Sequence, residues 1–132
     1  MTSVWIRNTP ASAAAVRHFL HDEVEKAGLG LDLADDAALL ASELVGNSIR
    51  HARALPAGYL NVTWLIDDAG VRVQVTDGGG GKRPQVRQVS LADTTGRGLA
   101  IVAALSDAWG VEEEPASTTV WAHLPRPIPL SS

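Results

Sequence analysis

Two alternating apolar runs face each other across a four-residue turn. Leu60, Val62, Trp64 and Ile66 alternate with Asn61, Thr63 and Leu65, and Val71, Val73 and Val75 alternate with Arg72, Gln74 and Thr76. Asp67-Asp68-Ala69-Gly70 lies between them. Successive strand side chains point to opposite faces, so each run has one apolar face. A short turn of Asp and Gly returns the chain antiparallel to itself. A hairpin with one apolar face must be covered on that face, and the flanking sequence supplies the cover.

Thr9-Pro10 reads as an N-cap followed by proline in the first helical turn. Val16, Phe19, Leu20 and Val24 recur at helical spacing and Gly28 follows as a stop, which predicts a helix over 10–27. Asp32 is the expected cap of a second helix. On its wheel Ala37, Ala41, Leu44, Val45, Ser48 and Ala52 share one side, and Glu43, Asn47 and Arg50 share another. Pro56 and Gly58 close that region. Val4 to Arg7 reads as an edge strand, and 82–95 as a loop. Leu99 to Trp109 reads as a helix stopped by Gly110, Val111 to Glu113 as a strand, and Thr118 to Leu124 as a last strand ended by Pro125. Asp77 is expected just past the hairpin, and Glu112-Glu113-Glu114 in a solvated turn. Helices, hairpin, loop, helix and strand in that order predict an α+β fold. It is a two-layer α/β sandwich with helices on one face of a mostly antiparallel sheet. Residues 1–124 are expected to form a single domain, with 125–132 as a mobile tail.

The 132 residues carry 45% hydrophobic and 20% charged side chains, enough for one core without staples. The net charge of -4 argues against sequence-independent nucleic-acid binding, which needs a basic face. There are no cysteines, which excludes disulfides, thiolate metal sites and cysteine nucleophiles and fits a cytoplasmic setting. The N-terminus does not read as a signal peptide, and no apolar run approaches a membrane span.

Three short segments carry chemistry. In Glu43-Leu-Val-Gly-Asn47-Ser-Ile-Arg50-His51-Ala52 a carboxylate and a carboxamide stand four residues apart, hence on one helical face. The carboxamide can give magnesium an oxygen without adding charge beside a triphosphate, and the glutamate can orient or deprotonate an attacking hydroxyl. A solvated helix face would have the same spacing. In Asp77-Gly-Gly79-Gly-Gly81 an acid that can accept adenine's amino hydrogens precedes bare backbone. A flexible turn would look alike. Gly96-Arg97-Gly98 opens a helix, where free N–H groups and an arginine suit phosphate, or where permissive glycines merely mark a boundary. Lys82 is followed by Arg83 rather than Ser or Thr, so no P-loop is present, and neither glycine cluster completes a dinucleotide fingerprint. His18 and His21 stand three apart with no third metal ligand in view, and both are expected to face solvent. The four tryptophans at 5, 64, 109 and 121 are mostly core candidates.

Taken together, the three segments resemble the GHKL ATPase superfamily, which includes gyrase, MutL, heat-shock chaperones and sensor histidine kinases. The nearest likeness is to the small bacterial anti-sigma-factor serine/threonine kinases. It rests on Ser42-Glu-Leu-Val-Gly-Asn-Ser-Ile-Arg-His-Ala52, Gly96-Arg-Gly-Leu-Ala-Ile-Val102 and Thr118-Thr-Val-Trp121, and it covers nearly the whole chain. The resemblance implies a Bergerat-type ATP-binding fold. It implies Glu43 as general base, Asn47 as magnesium ligand, and Asp77 as the adenine-reading aspartate with Gly79 and Gly81 lining the nucleotide. It implies residues 82–95 as a lid, Gly96 and Gly98 as its far hinge near the phosphates, and Thr118 as a second adenine contact. Arg50, His51, Arg97 and Leu99 lie within the same motifs and are expected at the ATP site. Ser117 stands where the branch usually has glycine, and the lid holds few anchors beyond Arg83 and Arg87.

In that branch, ATP and Mg2+ serve phosphorylation of a serine or threonine on an anti-anti-sigma antagonist of the STAS type. The kinase also keeps a sigma factor from RNA polymerase, and homodimers are common. No direct nucleic-acid or membrane partner is expected. The competing reading is a catalytically weak ATP-binding module that sequesters a partner in a nucleotide-dependent way. A sensor-kinase fragment would need a dimerisation hairpin longer than the single helix before residue 30, and gyrase-like or MutL-like enzymes a further transducer domain.

Overall fold

The computed structural model describes residues 1–51, 59–78 and 96–126, the side chains at 50–51 and 96–99 excepted. In chain order these are strand β1 (Thr2–Arg7), helix α1 (Pro10–Lys26), helix α2 (Leu31–His51), strands β2 (Tyr59–Asp67) and β3 (Gly70–Asp77), helix α3 (Gly96–Leu105), and strands β4 (Ala108–Glu114) and β5 (Ser117–Pro125). Among the described residues the five strands make one sheet in the order β1-β2-β3-β5-β4. Every neighbouring pair is antiparallel. The α+β sandwich expected from the sequence is the fold observed.

The hairpin forms as the alternation requires. Asp67 pairs with Gly70, and the Asp67 carboxylate accepts the Ala69 N–H at 2.8 Å, closing the turn. Leu60, Val62, Trp64, Val71, Val73 and Val75 are buried on one face, joined by Val120, Ala122 and Leu124 of β5. Gly70 has φ +135, and a Cβ there would collide with the Leu124 carbonyl oxygen of the neighbouring strand. Gly70→Ala is therefore expected to cost about 2 kcal/mol of unfolding free energy, readable as a lower urea midpoint. An unchanged midpoint would mean that the turn rebuilds freely.

The helices cover that face. In α1, Val16, Leu20 and Val24 lie one turn apart and are buried. Phe19 is instead 45% exposed, its ring set edge-on to Trp64 with centroids 5.4 Å apart. The indole N–H of Trp64 donates to Glu23 Oε1 at 2.9 Å, which also accepts from Thr2 Oγ1 at 3.0 Å. One carboxylate thus ties α1 to both β2 and β1. Gly28 (φ +80) ends α1 in a Schellman turn, its N–H bonding the Glu25 carbonyl while that of Leu29 reaches Val24. Thr9 sits at the N-cap but makes no capping side-chain bond; its hydroxyl meets that of Ser12 at 3.2 Å.

α2 is the central helix, packed on α1, α3, β3 and β5. Ala37, Ala41, Leu44, Val45 and Ser48 are buried as the wheel predicts, and Leu33, Ala34, Ala38 and Leu40 widen the stripe. Ala52 lies outside the described residues. The helix begins at Leu31, so Asp32 stands in its first turn rather than at the cap, where its charge still complements the helix dipole.

The largest departure from the sequence reading follows α3. The apolar run through Trp109 suggests one long helix, but the helix ends at Leu105 and Trp109 and Gly110 belong to β4. Two contacts explain the stop. The Asp107 N–H bonds the His123 carbonyl at 3.0 Å, and the Asp107 carboxylate meets His123 Nδ1 at 2.8 Å, so β5 captures the chain. Gly110 is not a helix stop; a Cβ there would lie 3.0 Å from the indole nitrogen of Trp121, its partner across the strands. The Arg72 guanidinium lies over the other residue of that pair, 4.3 Å from the Trp121 ring. Glu112 to Glu114 likewise lie in β4 rather than in a turn. Of the tryptophans, Trp64 is buried and Trp109 packs against the core, while Trp5 is exposed and Trp121 lies half-buried on the opposite sheet face.

Candidate functional site

Glu43 and Asn47 lie four residues apart on α2, both partly buried. On the helix wheel they flank the edge of the core stripe at Leu40, with Asn47 nearer the core. The next residue, Ser48, points inward. Its side chain is 1% exposed, and Oγ has no hydrogen-bond partner among the described residues. Native cores seldom leave a hydroxyl unpaired.

Asp77 is the last residue of β3 rather than just past its end, and stands directly opposite Thr118 of β5. Both side chains are buried, at 2% and 4% exposure, on the face that carries the helices. Thr118 in turn pairs with Glu113 of β4. Directly paired residues of an antiparallel ladder have Cβ atoms about 4.5–5.5 Å apart. A carboxylate and a hydroxyl are therefore held side by side on the helix-covered face by backbone pairing alone. Asp77 lies at the end of the sheet where β2 begins, which is where the chain arrives after α2. α2 packs on both β3 and β5, the two strands that carry the pair.

Gly96, Arg97, Gly98 and Leu99 form the first turn of α3, inside the helix rather than before it. Arg50 and His51 close the last turn of α2. Gly79, Gly81 and the whole of 82–95 lie outside the described residues. α2 and α3 pack together, so the Glu43 helix and the helix with the glycine pair are neighbours.

A family model for the histidine kinase-like ATPase domain matches residues 6–124. The chain belongs to that family. The match takes in both helices before the hairpin, the Asp77–Thr118 pair and the glycine-opened helix, so the GHKL resemblance seen in the sequence holds. Among solved structures, part of the structure of the RsbU and RsbW domains of Rv1364c from Mycobacterium tuberculosis has a similar fold. The TM-score is 0.63 at 21% identity, over 96% of this chain and 34% of that one. The chain thus spans about a third of the length of that solved protein. No curated protein matches it.

Two features of the site are not legible in the motifs. The hydroxyl of Ser48, without a partner among the described residues, is hidden because serine in an apolar stripe reads as a small core residue. The inward position of Glu113 is hidden because three glutamates in a row read as solvated. Strand alternation through β4 gives the signal, since Glu113 has the parity of Trp109 and Val111. Among the described residues no helix is long and apolar enough to cross a membrane.

Proposed function

We propose that this chain is a protein serine/threonine kinase that uses magnesium-ATP, sequesters a sigma factor, and is released by phosphorylating a small anti-anti-sigma antagonist of the STAS type. The observation that carries the reading is the buried Asp77–Thr118 pair on the strands that support the Glu43–Asn47 helix. The donor set suits adenine. Asp77 accepts hydrogens from the exocyclic amino group, Thr118 supplies a hydroxyl to the same base edge, and Ser48 offers a further hydroxyl to the base or to a water beside it.

Asn47 would hold magnesium through its carboxamide oxygen, and the ion would supply charge neutralisation on the phosphates. The backbone N–H groups of the first turn of α3 receive phosphate oxygens, with Arg97 as an additional donor. Gly79, Gly81, Arg50, His51 and Leu99 complete the nucleotide's surroundings, and 82–95 serve as the lid. Glu43 takes the proton of the attacking serine or threonine hydroxyl. The domain is taken as one unit over 1–124 with a tail at 125–132, cytoplasmic, and compatible with a homodimer. Its charge of -4 suits protein partners better than nucleic acid.

The test is transfer. The protein is incubated with labelled ATP, magnesium and each of a panel of STAS-type antagonists, and label is sought on a serine or threonine. Label on one antagonist, coupled to release of a captured sigma factor, is the expected result. ATP binding without transfer to any of them would reduce the function to nucleotide-dependent sequestration.

A further inference from the structure

The sequence shows His18 and His21 on α1 without a third ligand. The fold brings carboxylates to His21 from two directions. Asp35, in α2, places Oδ1 2.8 Å from His21 Nε2. Glu25, one turn along α1, places Oε1 3.4 Å from the other ring nitrogen, Nδ1. Ligand atoms of His21, Asp22 and Glu25 all lie within 4.8 Å of one another. His21 is therefore half-buried and bonded at the α1–α2 seam, not solvent-facing as its spacing alone suggests.

The two ring nitrogens have different surroundings, and that decides what the cluster can do. In the tautomer whose Nε2–H donates to Asp35, the lone pair lies on Nδ1, the nitrogen that faces Glu25. A carboxylate fixing one nitrogen while the other meets a cation is the usual support of a histidine metal ligand. Asp35 belongs to a different helix from the three ligands, so it fixes the ring from outside the cluster. The recess beside Asp35 is lined by Arg17, His18, His21, Asp35, Ala38 and Leu39, and neither Asp22 nor Glu25 enters it.

We propose that His21, Glu25 and Asp22 bind a divalent transition ion, zinc being the best fit, with Asp35 as the positioning residue. One imidazole nitrogen and two carboxylate oxygens, with water completing the shell, suit zinc. Imidazole disfavours magnesium and calcium, so the ion differs from the one that serves ATP. Without thiolates and with exposed carboxylates the site is a modest-affinity one. It is separate from the ATP site, since Asp35 and Glu43 stand about 12 Å apart along the α2 axis. Because Asp35 comes from α2, a bound ion locks the α1–α2 seam, and its signature is thermal stabilisation.

The test is calorimetric titration of chelator-treated protein with zinc chloride, without nucleotide, beside thermal unfolding with and without zinc. One site and a raised Tm are expected, with magnesium chloride giving neither. Glu25→Gln, an exposed change that should leave the fold intact, is expected to remove most of the binding. Asp35→Asn should weaken it by about ten- to a hundredfold. His18→Ala and His123→Ala should leave it unchanged. Zinc binding that survives both Glu25→Gln and Asp22→Asn would overturn the assignment, as would its absence from the unaltered protein.

Discussion

Asp77→Asn is expected to weaken ATP binding by at least about a hundredfold, close to 3 kcal/mol, while leaving the fold in place. The two side chains have the same shape, so the backbone pairing with Thr118 and the packing under the helices persist. What changes is one oxygen, from acceptor to an amide that carries donors. Adenine also presents donors at its amino group. In a position 2% exposed, water cannot compensate for two opposed donors. Flipping the amide would restore one contact and leave its nitrogen unpaired elsewhere. Titration of ATP with magnesium into both proteins measures the effect, with circular dichroism as the check on folding. Binding undiminished in Asp77→Asn would mean that the base is read elsewhere and that the buried pair is structural. Thr118→Ser gives the internal contrast, since it keeps the hydroxyl and loses a methyl, and it should cost far less.

The sheet and its cover were legible because strand alternation and helical spacing are both strong here. Leu60 to Val75 fix the buried face, and Val16, Leu20 and Val24 fix the buried side of α1. The limits of elements were not legible where a tertiary contact decides them. Nothing local in Ala103 to Trp109 stops a helix; His123, a strand away, captures Asp107 and does so. Asp32 carries the chemistry of a cap, yet Gly30 at φ +98 turns the chain early enough for Leu31 to begin the helix. Phe19 has the spacing of a core residue but sits at the margin, held against Trp64.

The candidate site divides in the same way. Glu43 and Asn47 share a helix face by spacing alone, so the sequence suffices for them. That Asp77 faces Thr118 depends on a strand order in which β5 enters between β3 and β4. No local pattern gives that order, and only the resemblance joined the two residues beforehand. Ser48 and Asp35 gain their interest purely from what surrounds them.

Glu43→Gln is expected to lower phosphoryl transfer by about 10²–10⁴-fold with ATP binding unchanged. The carboxylate and the carboxamide fill the same volume, and the residue is only partly buried, so the helix should not notice the exchange. An amide, however, cannot accept and hold a proton, and the attacking hydroxyl would have to lose its own to water. In the proposed site the ground-state complex would be built by Asp77, Thr118, Asn47 and the α3 N-terminus, none of which this substitution touches. The loss should therefore appear in kcat for the antagonist protein and leave the ATP affinity alone. Asn47→Ala should do the reverse and abolish the magnesium dependence of binding first. The two residues stand four apart on one face, so an indirect effect of helix damage would strike both properties in both variants. A clean separation, binding lost at 47 and transfer lost at 43, is what distinguishes a base from a neighbour. Undiminished transfer in Glu43→Gln would remove Glu43 from the chemistry, and loss of binding as well as transfer would make it a nucleotide-positioning residue.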